Sequence, residues 1–212
     1  MRFLFDPESQ LMQFVARLCD LILLNIVYLL TCIPLFTIGA ATAALYDTVF
    51  RMDTDREGKL MATYFHGFRE NFRQGTAVWL LLVLYGVATW MNMVRFSDLG
   101  GGLGYGLFVL SVVIVLIGLF VAGYAFPLMS RFRYKTGALL QNALLLSISY
   151  LPRTIVICII NAFPWGLLLV DAYTFTKLGF LWFALYFAAA AYFNSRVLKK
   201  VVDDLIARAE GM

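Results

Sequence analysis

From Tyr105 to Met129 the chain runs for 25 residues without a charge. At 1.5 Å of rise per residue, such a run crosses the ~30 Å hydrocarbon layer of a bilayer as one α-helix. A soluble fold of this size has too little interior to hide it. Composition agrees, because 62% of the 212 residues are hydrophobic and only 14% are charged. Ordinary soluble domains lie near about 45–50% and about 25%. The 17 Lys+Arg and 13 Asp+Glu also cluster between long uncharged runs. The chain reads as an integral membrane protein.

Six stretches read as membrane segments: 11–33, 37–50, 76–94, 105–129, 154–170 and 178–197. The expected fold is therefore all-α and polytopic, one membrane domain over 1–212. The first two segments divide an apolar region, Leu11 to Phe50, that is too long for one span. Pro34 and Gly39 fall near its middle and predict a tight turn, because Pro removes a backbone donor and Gly tolerates turn geometry. Segment 37–50 is about 21 Å long at helical rise, so it tilts in or re-enters instead of crossing squarely. The first apolar run is longer than a signal-peptide core and has acidic residues before it, so no cleaved signal is expected.

Orientation follows from the basic residues. Six segments with both termini inside place 15 of the 17 Lys and Arg in the cytoplasm and leave Arg95 and Lys177 outside. Five segments with an external N-terminus give 13 to 4. Six is the preferred count and five the alternative.

Two cytoplasmic stretches are more than connectors. Met61, Phe65, Phe68 and Phe72 recur at one-face helical spacing, with His66, Arg69, Glu70 and Arg73 opposite. That pattern predicts an interfacial amphipathic helix over 61–74, its aromatic face in the headgroup region. A second short helix is expected over 139–150, ahead of Leu151-Pro152-Arg153 and another span. The units 61–94 and 139–170 thus read as a loose structural repeat. The tail 198–212 reads as a cytoplasmic extension of the last helix, with partner docking as the alternative.

Other conspicuous residues have ordinary readings. Arg17 with Asp20, and Asp47 with Arg51, are spaced to neutralise each other on one helix face. Asn25 and Asn161 are mid-span amides expected to bond between helices. Trp79, Trp90, Trp165 and Trp182 fit an aromatic belt, with stacking on a sugar ring as the sharper alternative. Cys19, Cys32 and Cys158 stand singly, and one histidine, His66, makes no metal site. Phosphate-loop, zinc-protease and nucleophile-elbow motifs are missing, and Gly100 to Gly104 reads as a flexible external turn. No catalytic residues, cofactor, metal or nucleic-acid partner is expected.

Three stretches carry a resemblance. They are Leu24-Asn25 with Ile33-Pro34-Leu35-Phe36-Thr37-Ile38-Gly39-Ala40-Ala41-Thr42-Ala43-Ala44-Leu45-Tyr46; Tyr64-Phe65-His66-Gly67-Phe68-Arg69-Glu70-Asn71-Phe72-Arg73-Gln74; and Tyr150-Leu151-Pro152-Arg153-Thr154. In this order they resemble the YesL-like family of small bacterial membrane proteins. The resemblance implies a bacterial cell-membrane protein encoded beside ATP-binding-cassette importers of complex carbohydrates. It brings no catalytic residues with it.

The expected function is a non-enzymatic accessory subunit of such an importer, in contact with its permease subunits and with membrane lipids. Carbohydrate contact remains open. The alternative is a self-contained solute-conducting protein or permease. Against a permease, no Glu-Ala-Ala precedes Leu151-Pro152 within 136–150. Candidate partner contacts are Phe65, Phe68, Arg69, Phe72 and Arg73. Asn25, Pro34, Gly39 and Pro152 are candidate structural positions.

Overall fold

The computed structural model describes residues 10–52, 60–98, 101–170, 172–177, 179 and 182–210. The charged positions Arg2, Arg56 and Lys59, and most of 178–181 at the start of the sixth expected segment, lie outside them. Among the described residues there is no strand. The helices are α1 (Gln10–Cys32), α2 (Ile38–Arg51), α3 (Leu60–Asp98), α4 (Gly101–Arg131), α5 (Thr136–Ser149), α6 (Leu151–Val170), α7 (Ala172–Lys177) and α8 (Phe187–Glu210). A 3-10 turn, Leu35–Thr37, joins α1 to α2, and a π-helical turn, Trp182–Tyr186, precedes α8.

The break after α1 falls where Pro34 predicted it. Pro34 is extended (φ −75°, ψ 108°), and the Thr37 hydroxyl donates into the loosened turn, 2.6 Å from the Pro34 carbonyl oxygen. Gly39 is not part of that turn. It lies in the first turn of α2, where a Cβ would come 2.1 Å from the Gly75 carbonyl oxygen on α3. Its missing side chain serves helix contact, not a bend.

Helix α2 is the hub. Ten of its 14 residues are buried, from Gly39 to Val49, and it packs on α1, α3, α4 and α8. Gly39 and Ala40 meet Gly75, and Ala44 and Asp47 meet Gly67, so α2 and α3 run antiparallel at close range. Small residues four apart allow this approach, the usual solution where lipid removes the hydrophobic drive between helices.

Helix α3 corrects the separation of an interfacial helix 61–74 from a span 76–94. It is one helix of 39 residues, about 58 Å at standard rise. That is nearly twice the hydrocarbon thickness, so one end stands clear of the apolar layer. Gly75 does not interrupt it, because a glycine keeps its backbone N–H and costs a helix only about 1 kcal/mol. Helix α4 likewise begins at Gly101 (φ +66°), so Gly102 and Gly104 are helical and not part of an external turn.

The far halves of α3 and α4 form a hairpin with little around it. Leu84 and Trp90 are each 66% exposed and Leu103 is 77% exposed. Thr89, Gly104 and Ser111 are buried along the chain's own seam, and the Tyr85 hydroxyl donates to the Ile114 carbonyl across it. Such surface is at home only in lipid. Three helices, α1, α3 and α4, are long and apolar enough to cross a membrane; α5 with α6, bent by 104°, makes a fourth if the pair is one span.

Candidate functional site

Most charged residues of the described chain, with Arg95, Asp98 and Lys177 as exceptions, gather at one end of the bundle, where α2, α4 and α8 finish their apolar stretches and α3 begins. On α3 the side facing α2 holds Tyr64, Gly67, Gly75 and Val78, all buried. The expected aromatic stripe therefore divides. Phe68 is half-buried, packs against the core and stacks with Tyr64 at 6.4 Å between ring centroids. Phe65 is 47% exposed and Phe72 36% exposed, and Arg69 and Arg73 are exposed beside them. Phe68 is thus a core residue, whereas the other four candidates form a free patch. The reason is the tilt imposed by the close α2 crossing, which turns Tyr64 inward.

Two contacts brace this part of α3 against the segment after α4. Glu70 pairs with Arg133, and the Gln74 amide donates to the Tyr134 carbonyl at 2.8 Å. Glu70 is therefore used within the molecule. Arg69 and Arg73 have no ion pair among the described residues.

Beside this patch, α2, α4 and α8 enclose a cleft of about 210 Å³. Val49 and Phe50 come from α2, Arg131 from α4, and Ser195, Arg196, Lys199, Val202, Asp203 and Ile206 from α8. The Arg131 guanidinium lies over the Phe50 ring at 4.9 Å, and that of Arg196 over Tyr192 at 4.9 Å. These cation–π contacts hold both groups in place. Deeper, Asp47 is buried and accepts from Arg51 Nε at 2.9 Å, the ion pair expected from their spacing. Gly67 leaves room for that carboxylate, since a Cβ there would sit 3.1 Å from Asp47 Oδ2.

The cleft exists because α8 runs on unbroken past the last expected segment and stays packed on the bundle. Leu198, Val201 and Val202 are buried, so α8 continues the last expected segment and docks on its own core. Its residues were legible only as an amphipathic extension. Nothing local in the sequence joins Arg131 to Lys199, some 70 residues away.

Between the helices, the amides bond to backbone and to one another, while Asn194 Oδ1 is buried without a hydrogen-bond partner among the described residues. Asn25 is fully buried and its Oδ1 accepts from the Ala188 N–H at 2.9 Å, where the π-turn hands over to α8. A π-turn shifts the backbone ladder by one residue, which makes such a side-chain partner useful. Asn194, not singled out from sequence, donates 3.2 Å to both Asn161 Oδ1 and the Tyr46 hydroxyl. Trp79 directs its indole N–H to the Leu35 carbonyl at 2.9 Å, fixing α3 to the 3-10 turn. Pro152 lies in the first turn of α6, where its missing N–H costs nothing.

Residues 21–93 match a family model described as a protein of unknown function, DUF624, the family that includes YesL-like proteins. The matched region holds the Pro34 turn, the α2–α3 crossing and the exposed patch around Arg69. No curated protein and no solved structure matches the chain.

Proposed function

We propose that the protein is a non-enzymatic accessory membrane subunit of an ATP-binding-cassette importer of complex carbohydrates. In this reading the molecule has six membrane segments, with both termini and the charged end in the cytoplasm of a bacterial cell. The supporting observation is the exposed face of α3, where Phe65, Arg69, Phe72 and Arg73 stand free while the opposite face is anchored on α2. Anchoring of that kind presents the patch rigidly, so a partner orders few side chains on binding. Two aromatic residues beside two arginines is the composition favoured at interface centres.

A solute path of its own would need polar groups facing a water-filled route. The mid-span amides Asn25, Asn161 and Asn194 instead bond to backbone, to one another and to Tyr46, and the one unpartnered amide oxygen among them, Asn194 Oδ1, is buried. That favours a subunit over a self-contained conductor.

The test is charge reversal of Arg69 and Arg73 to Glu in the full chain. Both are exposed and belong to a helix held by its other face, so membrane insertion and yield stay at parental level. Recovery of permease subunits with the protein falls at least about tenfold, because like charges placed together across an interface cost several kcal/mol, each ~1.4 kcal/mol of which is a factor of ten. Growth on the corresponding oligosaccharide slows in parallel. Parental copurification and growth would remove the α3 patch as the contact surface.

A further inference from the structure

The cleft between α2, α4 and α8 is separate from the α3 patch, and its chemistry points to a different ligand. Three cations, Arg131, Arg196 and Lys199, converge there with one carboxylate, Asp203. Arg196 and Lys199 are i, i+3 neighbours, so α8 presents both on one side. Arg131 approaches from α4 and is held over Phe50, and Arg196 over Tyr192, each at 4.9 Å. Arg131 and Arg196 are thus oriented by aromatic rings, Arg196 also donating to the Tyr192 hydroxyl, while Lys199 is exposed beside them. The remaining wall is apolar at Val49, Phe50, Val202 and Ile206 and polar at Ser195.

We propose that this cleft binds the phosphate headgroup of an anionic phospholipid. The position fits, because the cleft opens where the apolar length of α4 ends at Arg131, the depth at which headgroup phosphates lie. Guanidinium groups suit phosphate oxygens, since their planar forks match two acceptors at once. The volume of about 210 Å³ accommodates a group far larger than a water molecule. The apolar wall separates two sources of the same chemistry. A free phosphate is fully hydrated and gains nothing from Phe50 or Ile206, whereas a phosphodiester carries a glycerol and acyl root that covers them. The proposal does not depend on the importer reading, and Arg69 and Arg73 take no part in it.

The experiment uses the full chain in lipid nanodiscs made from phosphatidylcholine with a minor fraction of phosphatidylglycerol. Native mass spectrometry counts which lipid stays bound. The parent retains phosphatidylglycerol in preference to phosphatidylcholine. Lys199→Gln weakens that preference on the order of fivefold, and Arg131→Gln with Lys199→Gln weakens it further, following the contribution of each basic group near an anionic surface. Lys199 is exposed, so the single variant folds even if loss of Arg131 disturbs packing on Phe50. Arg69→Gln with Arg73→Gln removes as much charge outside the cleft and leaves the preference intact. Equal loss in that control would show diffuse surface attraction and overturn the site. Displacement of the lipid by millimolar inorganic phosphate would assign the cleft to a free anion instead.

Discussion

Residues 60–98 and 136–170 look alike in sequence: a short amphipathic stretch followed by an apolar run long enough to enter the membrane. The structure makes them opposites. The first is one unbroken helix through Gly75, whereas the second stops at Tyr150 and restarts at Leu151 with a 104° bend. The expected repeat is therefore not a structural one. A glycine at the junction keeps its N–H and lets α3 pass against α2. A proline at 152 would crowd the Ile148 carbonyl if α5 simply continued, which disfavours a straight joint. Pro127 and Pro164 inside α4 and α6 nevertheless show that a proline alone does not end a helix here. Tertiary contacts then complete each outcome. Thr154, buried in the first turn of α6, donates to the Ser147 carbonyl at 2.7 Å and lies 3.1 Å from the Tyr124 hydroxyl on α4. Leu139, Ala143 and Ser147 form the buried face of α5 against α4.

The comparison breaks most severely at the straight junction. A Cβ on Gly75 would lie 2.8 Å from the Ala40 backbone, where neither helix has a flexible group to move. Gly75→Leu is expected to lower stability by about 2–3 kcal/mol, at the upper end of overpacking costs. Thermal unfolding in detergent measures it. Gly86→Ala, where nothing lies within 4 Å, serves as the control and leaves stability unchanged or raises it by up to about 0.5 kcal/mol.

At the bent junction the expected effects are smaller. Thr154→Val keeps shape but removes the hydroxyl, leaving the Ser147 carbonyl without that donor; the loss is about 1 kcal/mol. A spin-label pair at the exposed positions Gln141 and Ile159 reports the bend, and its distance distribution broadens. A distribution as narrow as the parent's would mean that burial of α5 alone fixes the angle.

Pro152→Ala has the smallest effect. It restores an N–H in a first turn that has no intrahelical acceptor for it, so stability changes by no more than about 0.5 kcal/mol. The same label pair keeps its distance, because Thr154 and the buried face of α5 remain. Straightening of the joint in this variant would place its cause in the proline alone.

What was legible locally follows from period and punctuation. The apolar runs of α1, α3 and α4 exceed what a soluble core can bury, so membrane helices were readable without any contact map. Pro34 marked a true break, whereas Pro127 and Pro164 lie inside continuous helices, so the missing N–H signals a candidate break that the surrounding packing decides. The Asp47–Arg51 pair, four residues apart on one helix, was equally local. Gly39 and Gly75 were a different matter. A glycine looks the same in sequence whether it bends a chain or clears space for a neighbouring backbone, and only the α2–α3 crossing decides. Phe68 and Phe65 likewise share one pattern, and the rotation of α3 against α2 sends one into the core and leaves the other outside. The cleft formed by Arg131, Arg196 and Lys199 was out of reach for the same reason: charges at the ends of separate helices acquire a common site only when packing brings those ends together.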